Sequence, residues 1–377
     1  MMTTPCNATV TAPDTLIRPT HGRRIVDTSP SIDPLTATVL PQLTALLELI
    51  DEGAPHLQSR VLCDVQAGPH RFPVHALTLG NPSPEVPAVG FFGGVHGLER
   101  VGAEVVLAWL RHLVKRLAWD DSLHEQLRQV RLVFMPLVNP GGFWLGTRAN
   151  PNGVDLMRNA PVEAREKVPF LIGGQRISRG MPWYRGAEGT PMEAEAQALC
   201  RFVEDELLGR RFSIAVDCHS GFGTDDRIWF PYAHTTRPIH HLPEIHALHA
   251  IFEQSHAHHP YVFEPQSVQY LTHGDIWDHL YLRARGQPGD RVFLPLTLEM
   301  GSWIWIKKNP KQLFSRLGIF NPLIHHRVNR VMRRHIALLD FLTRAASGCT
   351  RWLPASAAAR EQHRRTALSR WYRHLPA

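Results

Sequence analysis

Apolar runs that stop at glycine-rich turns, each followed by a stretch of helical periodicity, constrain this chain more than any other feature. Val86–Phe92 reads as a buried strand running into Gly93 and Gly94, after which Val101, Val105, Leu107, Ala108 and Leu113 fall at helical spacing within Val101–Leu117. Val130–Val138 repeats the strand pattern and ends at Asn139-Pro-Gly-Gly142, a strong turn signal. Met192–Leu208 reads as a helix with Thr190 as its cap, Phe212–Val216 as a strand, Leu242–His258 and Asp275–Leu282 as helices, and Val292–Leu298 as a strand. Upstream, the leucine spacing of Leu35–Asp51 predicts a helix, and Arg60–Ala67 with Phe72–Leu79 predicts a hairpin across Gly68 and Pro69. Pro310 to about Ala346 reads as helical. Strands alternating with helices predict an α/β fold: a mixed, mostly parallel twisted sheet with helices on both faces. In such sheets an active site belongs at the strand carboxyl ends.

Of the 377 residues, 44% are hydrophobic, enough for a substantial core, which excludes a disordered or fibrous chain. Residues 1–34, rich in Thr and Pro without periodicity, are expected to be mobile. One domain then spans 35–345, and the Ala/Arg-rich residues 346–377 read as a basic tail. The formal net charge of +7 first suggests a nucleic-acid partner. From Leu323 onward, however, 11 arginines against two acids give +9, while the rest of the chain holds 30 basic and 32 acidic residues. A nearly neutral body argues against nucleic acid. Five cysteines without short paired spacings predict neither a disulfide framework nor a thiolate metal site. No apolar segment follows the N-terminal residues as in a signal peptide, and no run approaches the roughly 18 apolar residues of a membrane span. A soluble, cytoplasmic protein is expected; the sequence gives no handle on oligomeric state.

The chemistry concentrates at strand ends. His96 and Glu99 follow the Val86–Phe92 strand, where both side chains can face the crevice of an open sheet. Imidazole with carboxylate suits zinc. Taken alone, His96-Gly-Leu-Glu99 is equally well read as a structural histidine with a dipole-favoured glutamate at a helix start. His219 ends the next buried strand, just before Gly221 and Gly223, and supplies the third ligand that a catalytic zinc needs. Glu299 ends a further strand, where an ionisable group is costly unless it is used. Three strand ends thus offer a histidine with a glutamate, a histidine, and a glutamate.

In this arrangement the chain resembles the zinc carboxypeptidases, over roughly residues 86 to 305. The motifs occur in order: His96-Gly-Leu-Glu99; Asn139-Pro-Gly-Gly142; Gly146-Thr-Arg148; Asn152 to Asn159; Tyr184-Arg-Gly186 with Glu193 and Glu195; Asp217-Cys-His219-Ser220; Tyr270 to Asp278; and Leu298-Glu299. The resemblance implies a zinc-dependent hydrolase that removes C-terminal residues from peptides by a zinc-bound water. One zinc ion per chain would be held by His96, Glu99 and His219, with Glu299 as general base and Arg148 stabilising the oxyanion. Asp155 would orient a ligating imidazole, Arg158 and Asn159 would bind substrate, and Tyr270 would close over it. One residue departs from the pattern: Met157 stands where the family has Asn, so an amide for the substrate carboxylate is missing. An amidase or deacylase acting on N-acyl amino acids or cell-wall-type peptides is therefore an alternative, and a non-catalytic binding protein a third. In either catalytic reading the partner is a peptide or N-acyl amino acid carrying a carboxylate. Ile276, Trp277 and Asp278 fall near the family's specificity position and leave side-chain preference open.

Other motifs carry less. Leu123-His-Glu-Gln-Leu-Arg128 begins like a helical His-Glu zinc signature, but Arg128 stands where the second histidine is needed. The cluster His240, His241, His246, His249, His256, His258 and His259 could suggest a second metal site, but most of it reads as a solvated helix face and its loop. Trp109, Trp144, Trp183, Trp303 and Trp305 read as core or cleft lining. No Gly-x-Ser-x-Gly elbow and no phosphate-binding glycine loop is present.

Overall fold

Eight strands pair into one sheet: β1 (Gln58–Ala67), β2 (His70–Gly80), β3 (Ala88–Gly93), β4 (Arg131–Met135), β5 (Phe212–Ser220), β6 (Arg227–Phe230), β7 (Val262–Pro265) and β8 (Val292–Met300). The computed structural model describes residues 40–373, so the expected N-terminal segment 1–34 lies outside the described residues. Strand order is β1-β2-β4-β3-β5-β8-β6-β7. The central strands β4, β3, β5 and β8 run parallel, while β1/β2, β2/β4 and β6/β8 are antiparallel. Every residue of β3, β4 and β5 is buried. Both sheet faces are therefore covered, which is why these strands read as continuous apolar runs and not as alternation.

The covering helices are α1 (Pro41–Gly53), α2 (Arg100–Arg116), α3 (Asp121–Gln129), α4 (Pro140–Leu145), α5 (Ala194–Val203), α6 (Leu242–Ser255), α7 (Ile276–Arg285), α8 (Trp303–Lys308), α9 (His325–Ser347), α10 (Cys349–Trp352) and α11 (Ala357–Trp371). Two glycines set the close approaches that shape the crevice. A Cβ on Gly102 would lie 2.1 Å from the Cys218 carbonyl oxygen, so only glycine lets α2 press against the end of β5. Gly274, at φ +71°, would place a Cβ 1.8 Å from the Arg158 carbonyl oxygen. Among the described residues, no helix is long and apolar enough to cross a membrane. Cys63, Cys200, Cys218 and Cys349 are free thiols.

Several elements differ from expectation. Helix does not run unbroken from Pro310 to Ala346: a 3-10 turn covers Pro310–Phe314, and α9 begins at His325. The irregular residues between them serve the site. Asn321 Oδ1 accepts from the Val101 N–H (2.9 Å) and its Nδ2 donates to the Leu98 carbonyl (2.7 Å), completing the start of α2. The basic C-terminal segment is folded as far as it is described. Its α11 pairs Arg360 with Glu244 (2.8 Å) and Arg370 with Glu253 (3.0 Å) on α6, and the Trp371 indole donates to the Phe263 carbonyl (2.7 Å). Two members of the histidine cluster, His241 and His249, are taken out of solvent, while His240 and His258 stay exposed. His249 is buried against Phe263 and Trp371, with centroids 5.0 and 5.6 Å away, and His241 is buried against Tyr281.

Buried neutral imidazoles make the fold acid-sensitive. His335 on α9 is 1% exposed, next to the Tyr261 hydroxyl at 2.9 Å. Burial lowers it to about 4, with Asp226 opposing and Arg334 reinforcing the shift. Burial likewise lowers His75 to about 4 and His241 to about 3. The unfolded chain titrates near 6.5 and takes up protons that the fold refuses, so stability is full above that pH and drains as pH falls toward 4. His335 alone accounts for on the order of 3 kcal/mol across that window. Urea unfolding midpoints should drop clearly between pH 7 and pH 4.5; equal midpoints would contradict this account.

Candidate functional site

Parallel register brings the chemistry together. His219 on β5 is paired directly with Glu299 on β8, and Gly93 at the end of β3 is paired with Cys218, leaving His96 and Glu99 in the turn that enters α2. Two imidazoles converge on one carboxylate: His96 Nδ1 lies 2.9 Å from Glu99 Oε1, and His219 Nδ1 lies 3.0 Å from Glu99 Oε2. All three residues are buried, and their ligand atoms lie within 4.8 Å of one another. Among the described residues, no second group of three such side chains converges in this way. The outer nitrogen of each ring meets a carboxylate: His96 Nε2 lies 3.0 Å from Asp155 Oδ1, and His219 Nε2 lies 2.7 Å from Asp217 Oδ2. Two imidazole nitrogens and a carboxylate, backed by outer carboxylates, form a donor set that fits zinc with one coordination position left open. Burial alone would raise the Glu99 carboxyl, but the charge of His96 and hydrogen bonds from His219 and His96 hold it well below the usual carboxylate range.

Beside this cluster lies a cavity of about 580 Å³, lined by His96, Glu99, Arg148, Met157, Arg158, His219, Tyr270 and Glu299, with the rings of Phe222, Trp229, Trp183 and Trp303. Glu299 Oε1 accepts from the Phe222 N–H at 3.1 Å. Burial, then repulsion from Glu99, pushes its carboxyl up to about 8, against the pull of His219 and Arg148. A carboxyl that exchanges its proton near neutrality is suited to acid–base work. Arg148 donates from Nε to Asp155 Oδ2 (2.8 Å) and from Nη1 to Glu99 Oε1 (3.1 Å), so one guanidinium spans Glu99 and the carboxylate behind His96. Asp155 is held far below its ordinary range: burial opposes its charge, but Arg148 and His96 prevail.

Arg158 is 3% exposed and forms no ion pair with any described residue. Its hydrogen bonds to the Ile172 and Met157 carbonyls are long, both 3.4 Å, and Tyr270 is its phenolic neighbour. The Tyr270 ring packs against Phe222 and Trp229, with centroids 5.9 and 6.0 Å away, and burial raises its phenol. Asn159 sits differently from the expectation. It does not line the cavity: its Nδ2 donates to the Arg185 carbonyl (2.9 Å) and its Oδ1 accepts from the Glu193 N–H (2.6 Å). That amide joins two loops through both its nitrogen and its oxygen. Met157 does line the cavity.

Two residues at the site had no assigned role in the sequence reading. Asp217 supports His219, and its signal was an acid two residues before a histidine in an otherwise apolar strand. Asp275, at the start of α7, lines the cavity; its Oδ1 accepts from the Trp277 and Asp278 N–H groups, and burial followed by Asp278 pushes it up to about 7.

A model of the zinc carboxypeptidase family matches residues 71–301. Carboxypeptidase E of Caenorhabditis elegans is 30% identical over 135 residues, covering 32% of this chain and 29% of that protein. Carboxypeptidase D of Drosophila melanogaster is 31% identical over 93 residues, covering 22% of this chain and 7% of that protein. The matched segments thus span less than a third of these relatives' lengths. Among solved structures, thrombin activatable fibrinolysis inhibitor superposes with a TM-score of 0.59 at 16% identity, covering 80% of this chain and 72% of that one, which shows a shared fold.

Proposed function

The chain belongs to the zinc carboxypeptidase family, and from that premise we propose that it removes C-terminal residues from peptides, with one zinc ion per chain held by His96, Glu99 and His219. The observation that carries the reading is Arg158: a buried, cavity-lining guanidinium with no ion-pair partner among the described residues, sharing one cavity with the two histidines, Glu99 and Glu299. Zinc, when bound, supplies a Lewis acid and a water acidified to a pKa near 7.

The protein's own groups do the rest. Arg158 pairs with the substrate's terminal carboxylate, for which a planar fork is the matched partner. That contact fixes the scissile amide beside Glu299, which takes a proton from the attacking water and returns it to the leaving amine. Arg148 meets the charge developing on the carbonyl oxygen, a role typically worth about 10²- to 10³-fold in rate. Tyr270 and its aromatic neighbours exclude water from the cavity. Asp155 holds His96 in one orientation through its outer nitrogen.

Met157 favours a second reading. A thioether lines the cavity next to Arg158, where the sequence pattern calls for an amide, so the carboxylate is gripped by fewer donors. Amide hydrolysis of N-acyl amino acids or cell-wall-type peptides on the same residues fits that loosened grip. Matched peptides with free and amidated C-termini separate the readings. Loss of a buried charge pair costs about 2–5 kcal/mol, so an exopeptidase should lose roughly 30-fold or more in kcat/KM on amidation. Equal cleavage of both peptides would sink the exopeptidase reading.

A further inference from the structure

Asp217 places a carboxyl group in the protein core. It lies in β5 with 0% exposure, two residues before His219 and therefore on the same strand face. Its Oδ2 is shared between His219 Nε2 (2.7 Å) and the Trp277 indole N–H (2.8 Å), whereas its Oδ1 has no hydrogen-bond partner. A carboxylate so placed is costly in an otherwise apolar strand, and an amide or a small hydroxyl would fit there at lower cost. Something must repay its retention, and the imidazole at 2.7 Å is the group it acts on.

The anchoring differs from that of the other outer carboxylate. Asp155 is set among polar groups: Arg148, the Met157 N–H and His96. Asp217 is fixed by an indole, and that indole is itself locked in the core. Trp277 is buried on α7 and meets Phe92 of β3 edge-on, with centroids 5.0 Å apart. Rotation of the His219 ring is thus limited by three rigid elements, β5, α7 and β3. The same first turn of α7 carries Asp275 into the cavity wall.

We propose that Asp217 and Trp277 are positioning residues for His219. The carboxylate holds the imidazole with Nδ1 turned toward Glu99 and the metal position, and the indole N–H holds the carboxylate. The proposal rests on the reading of His96, Glu99 and His219 as a zinc site. Its effect falls on metal affinity, since a ligand already in its bound orientation and tautomer loses nothing on binding.

The test uses the full-length chain and zinc itself, titrated in competition with a chromophoric chelator. Outer partners of ligating histidines typically contribute about 10- to 100-fold in metal affinity, so Asp217→Asn should weaken zinc binding by that factor. Trp277→Phe keeps the ring but removes the N–H, and should weaken binding in the same direction by roughly several-fold. It also keeps the test alive if Asp217→Asn fails to fold. Thermal unfolding of the metal-free variants supplies the readout for a merely structural role. A lowered melting point with unchanged zinc affinity in both variants would overturn the proposal. Wild-type protein that binds no zinc would overturn the site reading and this pairing with it. Tight wild-type binding with unaltered variants would overturn the pairing alone.

Discussion

Glu299→Gln is expected to keep its metal and its fold while hydrolysis falls by about 10²- to 10⁴-fold, the range for loss of a positioned general base. The substitution is close to isosteric, and the amide oxygen can still accept the Phe222 N–H that Glu299 Oε1 now accepts at 3.1 Å. No ligand atom is lost, because the converging set is His96, Glu99 and His219. The wild-type carboxyl is pushed up to about 8 by burial and by Glu99, so the fold works against its charge. Glutamine removes that conflict, and the variant's melting temperature should equal or exceed the wild-type value. Three measurements decide the matter together: zinc per chain, kcat/KM and melting temperature. Near-normal turnover in the glutamine variant would mean that another group serves as base. A fall in melting temperature with turnover preserved would make Glu299 structural.

The parts of this protein visible in its sequence are those under the strongest burial constraint. β3, β5 and β8 are buried throughout or nearly so, and such strands leave short, mainly apolar runs bounded by turn residues. Their ends were readable for the same reason: a His or Glu closing such a run stands out. β6 and β7 have four residues each, lie toward one edge of the sheet and include Arg227 and Glu264, so their pattern is too short and too polar to register. α3 carries Leu123 and Leu127 inward behind an Asp120 cap, but nine residues give barely two turns of periodicity. Asn159 shows where adjacency misleads. It follows Arg158 directly, yet a 3-10 turn ends between them and sends the two side chains to different loops. Asp217 was open to the argument applied to Glu299, since an ionisable group in an apolar strand is costly in either place. Recognising its partner needed Trp277, which lies 60 residues away in sequence.

His219→Ala should lose far more than the outer-partner variants, because it removes a ligand atom and not merely its support. Zinc content should drop from about one per chain to a small fraction, and hydrolysis should fall to background. The loss in affinity should exceed the 10- to 100-fold typical of an outer carboxylate. The local consequences follow from the contacts: Asp217 Oδ2 keeps only the Trp277 indole, and Glu99 Oε2 keeps only the Ser220 N–H at 3.0 Å. Glu99 then stays anchored by His96 and Arg148, so the crevice persists with two ligands in place. This distinguishes ligand loss from collapse. Wild-type protein stripped by chelator should regain activity when zinc is restored, whereas His219→Ala should not, even with circular dichroism showing the same helix content. Normal zinc content in the alanine variant would remove His219 from the ligand set and leave Asp217 without a metal ligand to position.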